Sequence, residues 1–163
     1  MTDLLILPPA LGVLGMVVAI IIYMIVKTYD PGSDALKKIA DAIHEGAMVF
    51  MKREYTQLAI FALVLVVAIY FSLGSSTAIA FLAGALSSAC AGWFGMYTAT
   101  QANVRTTNAA HTDGQASALS VAFFGGSIMG LAVASLGLIG LGSVYYFFGG
   151  DPETAHHIHG FGM

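Results

Sequence analysis

Charged side chains are scarce in this sequence. Asp, Glu, Lys and Arg make up 9% of its 163 residues, against about a quarter in a typical soluble domain. Their gaps matter more than their number. None stands between Asp3 and Lys27, between Glu54 and Arg105, or between Asp113 and Asp151. Cysteine is limited to Cys90, which excludes an internal disulfide and a Cys-rich metal site. Cys90 falls within an apolar run, and the expected role is that of a small buried hydrophobe. There is no GxxxxGK[ST] phosphate loop, and His44-Glu45 lacks the second histidine of HExxH, because Met48 stands three residues beyond Glu45. Nothing in the composition points to nucleic acid.

The uncharged gaps are long enough to cross a membrane, since a helix needs about 20 apolar residues to span the hydrocarbon core. The first gap holds one crossing. The second, Tyr55 to Val104, holds two, with Gly74-Ser75-Ser76 as the turn between them. The third holds one long or tilted crossing. The expected fold is an all-α integral membrane protein with spans at about residues 4–27, 55–73, 77–102 and 115–148. The N-terminal run is too long for a secretory h-region and lacks a basic n-region, so it reads as a retained span, with Pro8 and Pro9 tolerated near its start.

All six basic residues, Lys27, Lys37, Lys38, Lys52, Arg53 and Arg105, lie in the first and third connections. Four spans put those connections on one side, and the positive-inside rule makes that side cytoplasmic. Segments 28–54 and 103–114 are then cytoplasmic, and both ends of the sequence face outward. Arg105 does not suit mid-bilayer depth, so the chain is expected to leave the lipid near it. No Asp, Glu, Lys or Arg is expected within the apolar interior of a span, and no ion path is visible.

Within the first connection, Ser33 is the natural N-cap of a helix over 34–54, with Asp34 favourable against its dipole. Leu36, Ile39, Ala40, Ile43, Ala47 and Phe50 mark an apolar face, opposite Asp34, Lys37, Lys38, Asp41 and Glu45. Asp34 with Lys38 and Lys37 with Asp41 have ion-pair spacing. No stop signal separates this amphipathic helix from the second span, so one long helix is expected; an amphipathic helix lying flat on the headgroups is the alternative. Small residues recur in the third span as Gly84, Ser88 and Gly92, and in the fourth as Gly126, Gly130 and Ala134. Such stripes let helices approach closely in lipid.

Several polar groups are candidate sites. His156, His157 and His159 sit in a segment, 149–163, read as an external tail without fixed geometry, which disfavours a metal site. His111, near Asp113, reads as a solvated loop residue. Lys52, Arg53 and Glu54 fit ordinary anchoring at the headgroups better than a ligand site. Asn103, Arg105, Thr106 and Asn108 form the most polar cluster at a span end; contact with a phosphate-bearing ligand and capping of a neighbouring helix are both open. No catalytic, cofactor-binding or metal-ligating residue is assigned.

Three blocks nevertheless resemble the membrane-integral, ion-translocating inorganic pyrophosphatases. They are Ile43 to Tyr55 (IHEGAMVFMKREY), Phe81 to Ala110 with its GxxGM and NVRT elements, and Ala118 to Leu141 (ALSVAFFGGSIMGLAVASLGLIGL). The resemblance covers nearly the whole sequence, in order. It implies a pump that couples Mg²⁺-dependent hydrolysis of pyrophosphate to H⁺ or Na⁺ transport across the plasma membrane, commonly as a homodimer. It also implies that these four spans are outer-ring helices, packed tightly, of a bundle of about sixteen. The carboxylate motifs that hold Mg²⁺ and pyrophosphate belong to later spans of that family, and no DxxxD-type cluster occurs here. The sequence is therefore expected to be the N-terminal portion of such a pump, inactive alone. The alternative is a stand-alone four-span structural or assembly protein.

Overall fold

The computed structural model describes residues 2–148 and 155–163. Four helices dominate: α1 (Thr2–Thr28), α2 (Asp34–Leu73), α3 (Ser75–Thr112) and α4 (Gln115–Phe148). All four are long and apolar enough to cross a membrane, and no strand occurs among the described residues. In hydrocarbon a helix satisfies its own backbone groups, so long uncharged runs have few other options. A short 3₁₀ helix, η1 (Ala155–Gly162), follows.

The helices form a row in the order α2, α3, α4, α1, with α3 and α4 in the middle. Among the described residues α1 and α2 do not touch, and α1 meets α3 only over a short stretch. Contacts pair Pro9 with Gly142, Gly12 with Ile139 and Gly15 with Ser135, so α1 and α4 run antiparallel. Here Gly12 has a structural purpose. A methyl group on it would lie 2.7 Å from the Ser135 carbonyl oxygen, so only glycine admits α4 this closely.

Helix α2 is continuous over 40 residues, about 60 Å at 1.5 Å per residue. That is roughly twice the hydrocarbon thickness. The Ser33 hydroxyl caps its start by accepting from the Leu36 N–H at 3.4 Å. Gly74 ends it with φ +93°, a value that strains any other residue, and the next helix begins at once.

Several sequence expectations change here. Residues 103–112 are not a loop: α3 continues through them, and His111 is in its last turn. The hydroxyls of Thr106 and Thr107 return to the carbonyls of Ala102 and Asn103, both at 3.0 Å, so the helix absorbs its own polar groups. Cys90 is exposed, not buried as expected. Gly126, Gly130 and Ala134 are exposed as well. Gly125, one position earlier, makes the close approach instead, against Ala102. On α2, Leu36, Ala40 and Met51 are at least partly covered, whereas Ile39, Ile43 and Phe50 stay open. The ion pair observed there is Lys37 with Asp34 at 3.4 Å, not the two expected pairs.

The tail is the largest correction. Its first part, 149–154, including Asp151 and Glu153, lies outside the described residues. From Ala155 onward it folds back onto α3 and α4. Gly160 seats against the Thr77 carbonyl, and Phe161 reaches both Gly84 and Gly140. A segment with two bare glycines can lie directly on another backbone, which a residue-by-residue hydropathy reading does not register.

Candidate functional site

The polar residues gather where the turns joining α1 to α2 and α3 to α4 come together. One stripe of α3, spaced by four, presents Tyr97, Gln101 and Arg105 on the same face. From α2, His44 Nδ1 lies 2.7 Å from the Thr100 hydroxyl, and its ring meets Tyr97 edge-on at 5.3 Å. Thr100 donates its own proton to the Tyr97 carbonyl at 2.9 Å, which leaves its oxygen to accept from His44. From α1, the Tyr23 hydroxyl approaches that of Tyr97 and stands in the field of Arg105. Lys27 Nζ lies over the Tyr23 ring at 5.7 Å. Tyr97 thus stands near side chains of both α1 and α2.

Beyond this layer the turn between α1 and α2 is tied down. The Asn108 side chain donates to the Asp30 carbonyl at 3.1 Å, and Asp30 Oδ1 accepts the Gly32 N–H at 2.9 Å. Gly32 has φ +86°, and a Cβ on it would lie 2.5 Å from Asn108 Oδ1. Of the two roles open for Asn108, the structure assigns the packing one: it clamps a neighbouring turn.

Arg105 is different. It is 8% exposed, yet it has no carboxylate partner among the described residues. Nη1 turns back along its own helix to the Gln101 carbonyl at 2.7 Å and to Gln101 Oε1 at 3.5 Å. Nε is buried with no hydrogen-bond partner. Buried polar atoms are ordinarily satisfied, so this one marks an incomplete environment. Asn103 is exposed and Thr106 is used within the helix, so the polar cluster read from sequence divides into three separate roles.

The other candidates do not converge. Lys52, Arg53, Glu54, Glu45 and His111 are exposed. His157 Nδ1 is taken up by the Thr77 hydroxyl at 2.8 Å, far from the polar layer, and His159 faces outward. Among the described residues no three His, Cys, Asp or Glu side chains are grouped. Tyr23, Tyr97, Thr100 and Gln101 escaped the sequence reading. Tyr97 and Gln101 were traceable as the four-residue series leading to Arg105; Tyr23 was not, because its place depends on how α1 is rotated.

The sequence profile of the family described as inorganic H⁺ pyrophosphatase matches residues 13–163. The chain belongs to that family. Among proteins related to it, a K(+)-insensitive pyrophosphate-energized proton pump 2 of Moorella thermoacetica is 42% identical over 161 residues, covering 95% of this chain and 23% of its own length. A K(+)-insensitive pyrophosphate-energized proton pump of Methanosarcina mazei is 41% identical over 143 residues, covering 86% and 21%. A K(+)-stimulated pyrophosphate-energized sodium pump of Thermotoga maritima is 44% identical over 121 residues, covering 72% and 16%. The chain therefore spans less than a quarter of these inorganic pyrophosphatases, and matches proton and sodium pumps alike.

Proposed function

We propose that these helices form the N-terminal part of a pyrophosphate-energised pump that couples diphosphate hydrolysis to H⁺ or Na⁺ transport. The family match over 13–163, with identities near 40% to pumps of both ion types, carries this reading. The open surface agrees with it. Ile39, Ile43, Phe50, Phe71, Phe123 and Phe147 are all exposed, more apolar side chain than a bundle standing in water leaves uncovered. Lipid and the pump's remaining helices are the partners we assign to it, with pyrophosphate the substrate of the whole protein and a homodimer its assembly.

The bilayer is taken to be the plasma membrane. The helix portions carrying Lys27, Lys37, Lys38, Lys52, Arg53 and Arg105 face the cytoplasm, because basic segments resist translocation. Magnesium would serve the whole pump by neutralising the charge that develops on the diphosphate. The described residues do not suit it: Mg²⁺ takes oxygen donors in near-octahedral array, and Asp34, Asp41, Glu45 and Glu54 are dispersed along the exposed sides of α2. These helices therefore support the chemistry and leave substrate and metal to other spans.

The test is the intact mass of the product of the native locus, together with Mg²⁺-dependent diphosphate hydrolysis in the membranes that contain it. A product several times heavier than 17.0 kDa with ion-coupled hydrolysis is expected. A native product of that mass in membranes without hydrolysis would leave a stand-alone structural protein, and hydrolysis by purified residues 1–163 would overturn the division of labour.

A further inference from the structure

The order α2, α3, α4, α1 leaves one side of α3 without a helix. Along it run Leu86, Cys90, Trp93, Tyr97, Gln101 and Arg105, at steps of three and four. The first three are exposed, and α1 and α2 border this face where Tyr23 and His44 reach Tyr97. The result is a furrow with an aromatic floor, ending at a buried guanidinium.

From this geometry we infer that Arg105 is half of an interhelical ion pair. Its partner is a single carboxylate on a membrane helix outside residues 1–163, seated in the furrow between α1 and α2. The inference rests on the proposed pump for the source of that helix. Three observations select this partner. A buried cation with no counter-charge is costly, and no acidic side chain of the described residues is paired with it. Asp30, the acid on the clamped turn, has its Oδ1 engaged by the Gly32 N–H. Finally, Nη1 is committed to Gln101 and Nε is closed off from outside, which leaves Nη2 as the nitrogen free to meet a partner. A single charged donor group is matched by one carboxylate. A diphosphate needs several cations converging on it, whereas Lys37, Lys38, Lys52 and Arg53 are exposed along α2. The pair would lock the cytoplasmic end of the helix row to the helix in the furrow. Arg105 is in this sense a positioning residue, with no contact to substrate.

The experiment uses the native full-length product in its own membranes. Trp93 is replaced by the photo-cross-linking residue p-benzoylphenylalanine, an aromatic for an exposed aromatic that does not touch Arg105. After irradiation the adduct is mapped by peptide mass spectrometry. The expected adduct is on a membrane helix that carries an Asp or Glu about 18 Å further toward the basic face, the rise over twelve helical residues. Arg105→Gln should then shorten the survival half-life of the solubilised protein about tenfold or more, and Arg105→Lys should shorten it less. Arg105→Glu combined with reversal of the mapped acid to Arg should regain most of the loss. Adducts with lipid alone, a cross-linked helix without an acid at that depth, or no rescue by reversal would overturn the ion pair. Should the native product end at Met163, the pump reading falls by itself. An adduct with a separate acidic chain would even then uphold the ion pair.

Discussion

The two ends of the helix row are held by different means. At the Gly74 end the contacts are close approaches at glycine: Gly160 on the Thr77 carbonyl, the Phe161 backbone on Gly84, its ring on Gly140, and the Pro9 ring on Gly142. At the other end the contacts are polar: His44 with Thr100, Asn108 with Asp30, and an Arg105 whose Nε has no partner. The first end is satisfied in its close approaches, although Phe71 and Phe147 beside them stay open. The second is not, because a buried charge needs an opposite charge. Close packing therefore shows what these helices supply to one another, and unsatisfied polarity shows where a buried charge calls for a neighbour.

Overpacking should break the closely packed part of the row first. Gly12→Ile forces a side chain into the Ser135 carbonyl and should cost about 3 kcal/mol by separating α1 from α4, read as a lower Tm of the solubilised native protein. At the tail, Gly160→Ala meets the Thr77 carbonyl and should cost about 1–2 kcal/mol, with faster proteolysis after Phe148 as its local signature. The polar end should respond less steeply to neutral changes. Asn108→Ala removes the clamp on the first turn and should cost about 1 kcal/mol, with faster labelling of a cysteine placed at Ser33. Smallest of all within these four helices is Gly126→Ala, whose methyl meets nothing and should change their stability by under about 0.5 kcal/mol. A large effect of that change on the native assembly would show that another helix occupies the stripe. The comparison is then sharpened by Cys90, exposed in the furrow: maleimide should modify it slowly in the native protein if a helix covers it, and quickly if the furrow is open.

The four crossings were legible because uncharged runs of membrane length have one stable solution in lipid. Gly74 and Ser33 were legible too, since a left-handed turn and an N-cap are local chemistry. The tail was misread for the same reason: Ala155 to Gly162 has no amphipathic period of its own and takes its shape from Thr77 and Gly84. The candidate site was half legible. Arg105 and Asn108 were in view as a polar cluster, but their separate roles depend on α1 and its turn arriving beside them.

Hydropathy and end chemistry run along the chain, so the sequence by itself determined how many helices there are, where they turn, which connections are basic and, through its junctions, the family. Which face each helix presents belongs to the tertiary structure alone. Neighbouring positions on a helix differ by about 100° of rotation. On that account Gly125 packs against Ala102 while Gly126 stands open, and Cys90 is exposed while Ala91 is buried. The same rotation set Arg105 under cover rather than in water. A charge becomes a demand for a partner only when packing has removed the solvent around it.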